Sequence, residues 1–380
     1  MSSRHLSAIQ KIMKVYSFKL QRLPKIQDKD ICIEYRDINT FDSTKKKDND
    51  KNNKMRESII FAIVNKLVPP VYYHLSRRWN VLQTALYKYI YELAKMRNID
   101  SVESIMCIQK AGRGHHFDFI FRFNDSINVD TEFKFNASSV SEIPQFVSPS
   151  RTDQFLEYSY EEHFYDNYLN LISTKGGVPM PDRAEYLKTI RGPSPVCVRL
   201  LQEKYYKGCK SSSRFSNDQE DIEFEKFAKE ITRKSIVDFI EKYGLKKDLL
   251  NEYLRKTQKD KFYMLYKNNT FHLQKIGTDE LEIVSYEKYP QKNIYTAITQ
   301  TGLRLNILLR WKNGNGIAYP AFQISTAEST TIMAEKLAAK EAIKTEKLAT
   351  KEAIKTEKLA AKEAIKTETE RKSKSVSLHP

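Results

Sequence analysis

Asp118, Glu132 and Lys134 are the residues whose types and spacing suit chemistry. Side chains of a strand alternate between its two faces. In Phe117-Asp118-Phe119-Ile120-Phe121-Arg122-Phe123 the four phenylalanines share one face, and Asp118, Ile120 and Arg122 share the other. In Asn128–Phe135, Val129, Thr131, Phe133 and Phe135 form one face, and Asp130, Glu132 and Lys134 the other. The apolar faces of a hairpin must lie on one side of the sheet, which sets the parity of its register. A three-residue loop, Asn124-Asp125-Ser126, satisfies this and pairs Phe123 with Ile127, Phe119 with Thr131 and Asp118 with Glu132. Directly opposed residues have Cβ atoms roughly 4.5–5.5 Å apart. Two carboxylates that close repel, and a shared proton or a divalent cation relieves them.

A cation there, Mg2+ or Mn2+ in its place, suits phosphodiester hydrolysis. Mg2+ usually takes one or two carboxylates and completes its shell with water and substrate phosphate. It activates a water and neutralises developing charge. Lys134 is placed to hold that water or to stabilise charge at phosphorus. The expected metal ligands are Asp118, Glu132 and the main-chain carbonyl of Phe133, with Asp130 on the same face as an addition. His115 and His116 follow Gly112-Arg113-Gly114. Arg113, His115 and His116 are candidate DNA contacts, with a metal or general-base role for the histidines as the alternative. The competing explanation of the trio is a surface ion pair without catalysis.

Asp118 followed by Glu132-Phe133-Lys134 resembles the PD-(D/E)xK nuclease superfamily, the fold of many type II restriction endonucleases. The resemblance covers about residues 80–150. Its order is a helix, a β-meander carrying Asp on the second strand and Glu-x-Lys on the third, then a helix. The proline that precedes the Asp in that pattern is replaced by Phe117. The resemblance implies metal ligation by Asp118 and Glu132 and water activation by Lys134. It also implies a further acid from the first helix, for which Glu92 is the best match and Glu103 the next. A Gln-x-x-x-Tyr helix motif of some members is matched by Gln154-Phe155-Leu156-Glu157-Tyr158. The segment Leu308–Gly316 with Pro320-Ala321-Phe322-Gln323 is also similar to restriction-enzyme sequence.

The elements that must position this chemistry follow from periodicity. Asn80 reads as the cap of a helix to about Met96, with Leu82, Leu86, Tyr89, Ile90 and Leu93 as its apolar stripe. Strands are expected at about 102–109, 116–123 and 128–135, and a helix over about 151–172. Val196–Leu201 reads as a strand, and helices are expected over 219–257. Strands follow near 261–267, 270–276, 280–287, 293–299, 303–311 and 317–324. On the strand 303–311, Leu303, Leu305, Ile307, Leu309 and Trp311 share one face. Arg304 and Arg310, with Lys312 beyond them, lie on the other, as a solvated side or as contacts to DNA.

The chain has 380 residues and a net charge of +16. Such a surface favours polyanions, so DNA leads the partner list, with RNA as an alternative and a homodimer as the assembly to test. The 4 cysteines include no C-x-x-C pair, which points to a reducing, cytoplasmic or nuclear setting. No apolar run reaches the roughly 18 residues of a membrane span. The first 27 residues hold no acid and read as a basic amphipathic helix. That helix is docked on the body, an arm on nucleic acid, or a mitochondrial targeting peptide. Residues 335–367 repeat an eleven-residue unit three times, which returns each position to one helical face.

These readings predict an α+β chain, α/β/α-like. It has a restriction-endonuclease-like core of mixed β-sheet flanked by helices, a C-terminal β-rich subdomain and a long helical tail. The expected divisions are 1–54, a basic helix and linker; 55–211, the nuclease core; 212–330, a helical then antiparallel β subdomain that contacts DNA; and 331–380, the lysine-rich tail. The expected activity is Mg2+-dependent hydrolysis of DNA by an endonuclease of type II restriction-like character. The alternative is a non-catalytic nucleic-acid-binding protein on a nuclease-derived fold.

Overall fold

The computed structural model describes residues 23–28, 31–42, 49–110, 115–147, 154–190, 209–211, 214–215, 218–311 and 320–327. The expected N-terminal helix, the strand 196–201, the lysine-rich tail, Arg113 and Lys312 lie outside the described residues.

The central element is a mixed five-stranded sheet in the order β3-β4-β5-β8-β9. Its strands are β3 (Ile105–Gln109), β4 (Phe119–Phe123), β5 (Ile127–Phe135), β8 (Lys261–Lys267) and β9 (Thr270–Gln274). β5 and β8 run parallel, and the other neighbours are antiparallel. The phenylalanine alternation does what its period requires: Phe119, Phe121 and Phe123 are buried on one face with Val129 and Phe133. α1 (Asn49–Val64) and α3 (Arg77–Met96) contribute to the same core, with the short α2 (Pro70–Leu75) between them in the chain. Tyr89 on α3 meets Phe121 and Phe271, with ring centroids 6.4 and 6.1 Å away. The predicted stripe of α3 is buried, extended by Trp79 and Ala94. Its cap is Ser76, whose Oγ accepts the Arg78 N–H at 3.2 Å, rather than Asn80.

The segment 1–54 is expected to end in a linker, but α1 begins within it at Asn49. Arg56 explains the order of that region. Its buried guanidinium donates twice to the Thr40 carbonyl, at 2.9 and 2.6 Å, and lies 3.4 Å from the Phe135 ring centroid. Ile26 and Ile33 of the β1–β2 hairpin (Ile26–Asp28 and Ile31–Ile33) and Phe41 join the same core. Ile26, Ile33, Ile38 and Phe41 thus belong to the core of the body.

The opposite face of the sheet presents Tyr263 and Leu265 to a second core. That core is built from α4 (Tyr160–Phe164), α5 (Asn170–Gly176), α6 (Arg183–Ile190), α7 (Gln219–Lys242) and α8 (Lys247–Gln258). It also takes in a four-stranded antiparallel sheet, β10 (Ile283–Tyr289), β11 (Ile294–Thr299), β12 (Arg304–Trp311) and β13 (Pro320–Thr326). Leu305, Ile307, Leu309 and Trp311 are buried on one face as expected. A two-stranded pair, β6 (Cys209–Ser211) with β7 (Arg214–Phe215), stands apart from both sheets. The architecture is mixed α+β.

Three expectations change. No boundary divides the body near 212; residues 1–327 form one unit and 328–380 another. β8 and β9, assigned from sequence to a second subdomain, complete the first sheet through the parallel pairing with β5. The helix expected over 151–172 starts at Tyr160, where the Ser159 hydroxyl accepts the Glu162 N–H at 3.3 Å. Gln154 and Tyr158 therefore precede the helix, and their spacing is not a helical motif here.

Candidate active site

The hairpin that carries the site has the register read from its alternation, with Phe123 opposite Ile127 and Phe119 opposite Thr131. The turn is made by Asn124 and Asp125, both left-handed at φ 47° and 58°. Asparagine and aspartate tolerate that conformation best among residues with a Cβ. The Asn124 side chain also ties the turn to the chain before β3, accepting from the Glu103 N–H at 2.9 Å and donating to the Ser101 carbonyl at 2.7 Å.

The ladder ends one pair earlier than expected, so Asp118 does not pair with Glu132. The Asp118 N–H donates instead to the Thr131 carbonyl at 3.0 Å. Its carboxylate accepts the Phe133 N–H at 2.8 Å. Phe133 thus offers Asp118 its N–H, where its carbonyl had been expected to join a metal site.

Glu132 is buried, at 4% exposure. Its two oxygens are each held by a lysine: Lys134 bonds Oε1, and Lys261 at the start of β8 donates to Oε2 at 2.5 Å. Burial alone would raise the Glu132 carboxyl, but Lys134 and Lys261 outweigh it and hold it below the usual glutamate value. Burial opposes the charge of Lys134 too, and there Glu132 and Asp118 prevail and raise it. For Lys261 burial wins over Glu132, and the ammonium sits below the usual lysine value.

The acid supplied by a helix is Glu57 on α1. Gln109 Nε2 donates to its Oε2 at 3.5 Å. Burial, then the charge of Asp118, pushes Glu57 up to about 7, against the Gln109 hydrogen bond and Lys134. Asp118 is pushed up to about 6, by burial first and then by Glu132, with Lys134 acting against it. Asp118, Glu132, Lys134, Glu57 and Lys261 are thus one electrostatic cluster.

The other candidates separate. Glu92 lies on α3, where its charge acts on buried Tyr89 within the phenylalanine-side core rather than on Asp118 or Glu132. Glu103 is exposed at the tip region of the hairpin, beside Asn124. Asp130 shares the sheet face of Glu132, half-buried, its carboxyl raised by burial and by Asp260. His115 is exposed against Phe117, at 5.6 Å between centroids. His116 contributes its main chain, the carbonyl accepting from Lys261 at 3.3 Å. Its ring packs on Tyr253, 5.6 Å between centroids, and burial then Lys261 lower its pKa. Arg304 pairs with Glu287 at 3.2 Å, and Arg310 bonds Gln323 at 2.8 Å, both on the four-stranded sheet.

Sequence reasoning missed Glu57 and Lys261. For Glu57 a signal existed: it stands two residues before the apolar run Ile59–Val64, at a position a helix would bring to the sheet. Lys261 opens a strand whose partner, β5, is distant in sequence, and nothing local marks it.

Among the described residues no group of three or more His, Cys, Asp or Glu is arranged to enclose a metal ion. The donor chemistry still fits a hard divalent cation. Asp118 and Glu57 are oxygen donors whose charges repel each other in a half-buried setting, and Mg2+ needs only one or two carboxylates besides water and phosphate. No helix among the described residues is long and apolar enough to cross a membrane. No protein-family model, no curated protein and no solved structure matches the chain.

Proposed function

We propose that this chain is a divalent-cation-dependent endonuclease that hydrolyses DNA phosphodiester bonds on a core of the PD-(D/E)xK kind. The observation that carries the reading is the gathering of Asp118, Glu132, Lys134 and Glu57 at one end of the β4–β5 hairpin. The order α1, then β3-β4-β5, then β8 parallel to β5 supports the fold assignment. Asp118 and Glu132 would hold the cation, with Glu57 in place of Glu92 as the helix acid. When bound, the cation supplies charge neutralisation at the phosphate and acidifies a water.

The chain's own residues do the rest. The Phe133 N–H fixes one Asp118 oxygen, so that carboxylate is oriented before any ligand arrives. Lys134, its side chain 26% exposed, reaches from the buried Glu132 toward solvent, where a phosphate arrives. It donates to the attacking water or to charge that builds on the phosphoryl oxygens. The basic surface, at +16 overall, draws the polyanion in.

One observation favours a second reading, a non-catalytic DNA-binding protein. Both Glu132 oxygens are already occupied by lysines. Supercoiled plasmid incubated with the protein in Mg2+, Mn2+ or EDTA separates the two. Nicked or linear product with either cation and none in EDTA is the expected result, and the cut ends read by sequencing report any site preference. Plasmid that is bound and stays supercoiled in both cations decides for the second reading.

A further inference from the structure

Lys261 satisfies all three of its N–H donors inside the protein. Glu132 Oε2 lies at 2.5 Å, and the carbonyls of His116 and Phe146 each lie at 3.3 Å. The residue is 3% exposed, so these acceptors replace its water shell. The two carbonyls come from separate places. His116 precedes Asp118, and Phe146 leads to the four-stranded sheet, where its N–H donates to the Ile324 carbonyl at 3.0 Å. The ammonium is therefore held in place by main chain as well as by Glu132.

The charges then count as follows. Lys134 and Lys261 balance Glu132 and Asp118, which leaves Glu57 as the one further carboxylate of the cluster among the described residues. A divalent cation entering this cluster meets two fixed ammonium groups and gains at most one more negative charge. A phosphodiester entering with it supplies what is missing. Were Lys261 neutral, the carboxylates alone would suffice for the cation. Resting on the nuclease reading of this site, we propose that Lys261 is a positioning residue that makes divalent-cation binding conditional on a substrate phosphate. It occupies one Glu132 oxygen in the free protein and lowers affinity for the cation until DNA is present. Coupling of this kind is reciprocal, so the cation tightens DNA binding by the same factor.

The test reads binding and needs no turnover. Mn2+ is titrated by its EPR signal against the full chain, with and without a short phosphorothioate duplex that resists cleavage. Native protein is expected to bind Mn2+ at least about tenfold more tightly when the duplex is present. Lys261→Met is expected to bind Mn2+ at least about tenfold more tightly than native protein without the duplex, and to lose most of the duplex effect. Lys261→Arg, which keeps the charge, is expected to keep the native pattern. Where Lys261→Met does not fold, Lys261→Gln removes the charge and keeps N–H donors for the two carbonyls. A folded neutral variant with native Mn2+ affinity and native duplex dependence overturns the role of Lys261 alone. Native protein that binds no Mn2+ with or without duplex overturns the nuclease reading and this inference with it.

Discussion

Glu57→Gln isolates a strained ionisation at the candidate site. The carboxyl titrates at about 7, where an ordinary glutamate titrates at 4.5. Each pKa unit corresponds to about 1.4 kcal/mol between the two protonation states. Ionised Glu57 therefore stores about 3–4 kcal/mol against folding above pH 8, as an order of magnitude. The native state holds this proton more tightly than the unfolded chain does. Below about pH 4 both states are protonated and the group has no effect. Stability is then lost as pH rises between about 4 and 7, and the full loss is present above that window. Glutamine has the same shape, keeps an oxygen for Gln109 and carries no charge. Urea unfolding in EDTA at pH 4.5 and at pH 8 measures the difference. Glu57→Gln should match native protein at pH 4.5 to within about 0.5 kcal/mol and exceed it by about 3 kcal/mol at pH 8. Mg2+ should stabilise native protein more than the variant at pH 8, because the variant has already relieved the repulsion. A variant less stable than native at pH 8, or displaced equally at both pH values, refutes the claim that burial and Asp118 strain this carboxyl.

Other outcomes follow from the same geometry. Asp118→Asn should raise the Mg2+ concentration needed for cleavage, seen in a metal titration of nicking rate, while Lys134→Ala should leave that midpoint near native. Ser76→Ala removes the acceptor that caps α3 and should cost about 1 kcal/mol in denaturant unfolding at any pH. Truncation after Ala327 removes the lysine-rich repeats. It should keep the melting temperature of the body and weaken low-salt DNA binding, with a shallower dependence of log affinity on log salt concentration.

The part of this arrangement that local pattern controls was legible. Four alternating phenylalanines and a short polar turn leave the β4–β5 hairpin one register, and the structure has it. The last pair failed because Asp118 spends its backbone and its carboxylate on Thr131 and Phe133 instead of continuing the ladder. α1 was hidden by composition. Asn49-Asp50-Lys51-Asn52-Asn53-Lys54 reads as solvated linker, and it is the first turns of a helix anchored by Arg56 and by buried Ile59, Ile60 and Ile63. With α1 hidden, α3 reads as the first helix, and Glu92 on it as the helix acid. Lys261 depends on the parallel pairing of β5 with β8, a contact with no local signature. Burial of an ammonium at a strand's first residue is legible only once that pairing brings it within reach of Glu132.

The account rests most directly on Lys134. Mg2+-dependent plasmid cleavage and melting temperature, measured on the same preparations of native and Lys134→Ala protein, test it together. Native protein is expected to cut in Mg2+ and not in EDTA. Folded Lys134→Ala is expected to bind DNA with near-native affinity and to cut about 10²–10³ times more slowly, since the ammonium acts on charge that appears in the transition state. Folded Lys134→Ala that cuts at the native rate, or native protein that cuts in no divalent cation, would contradict it.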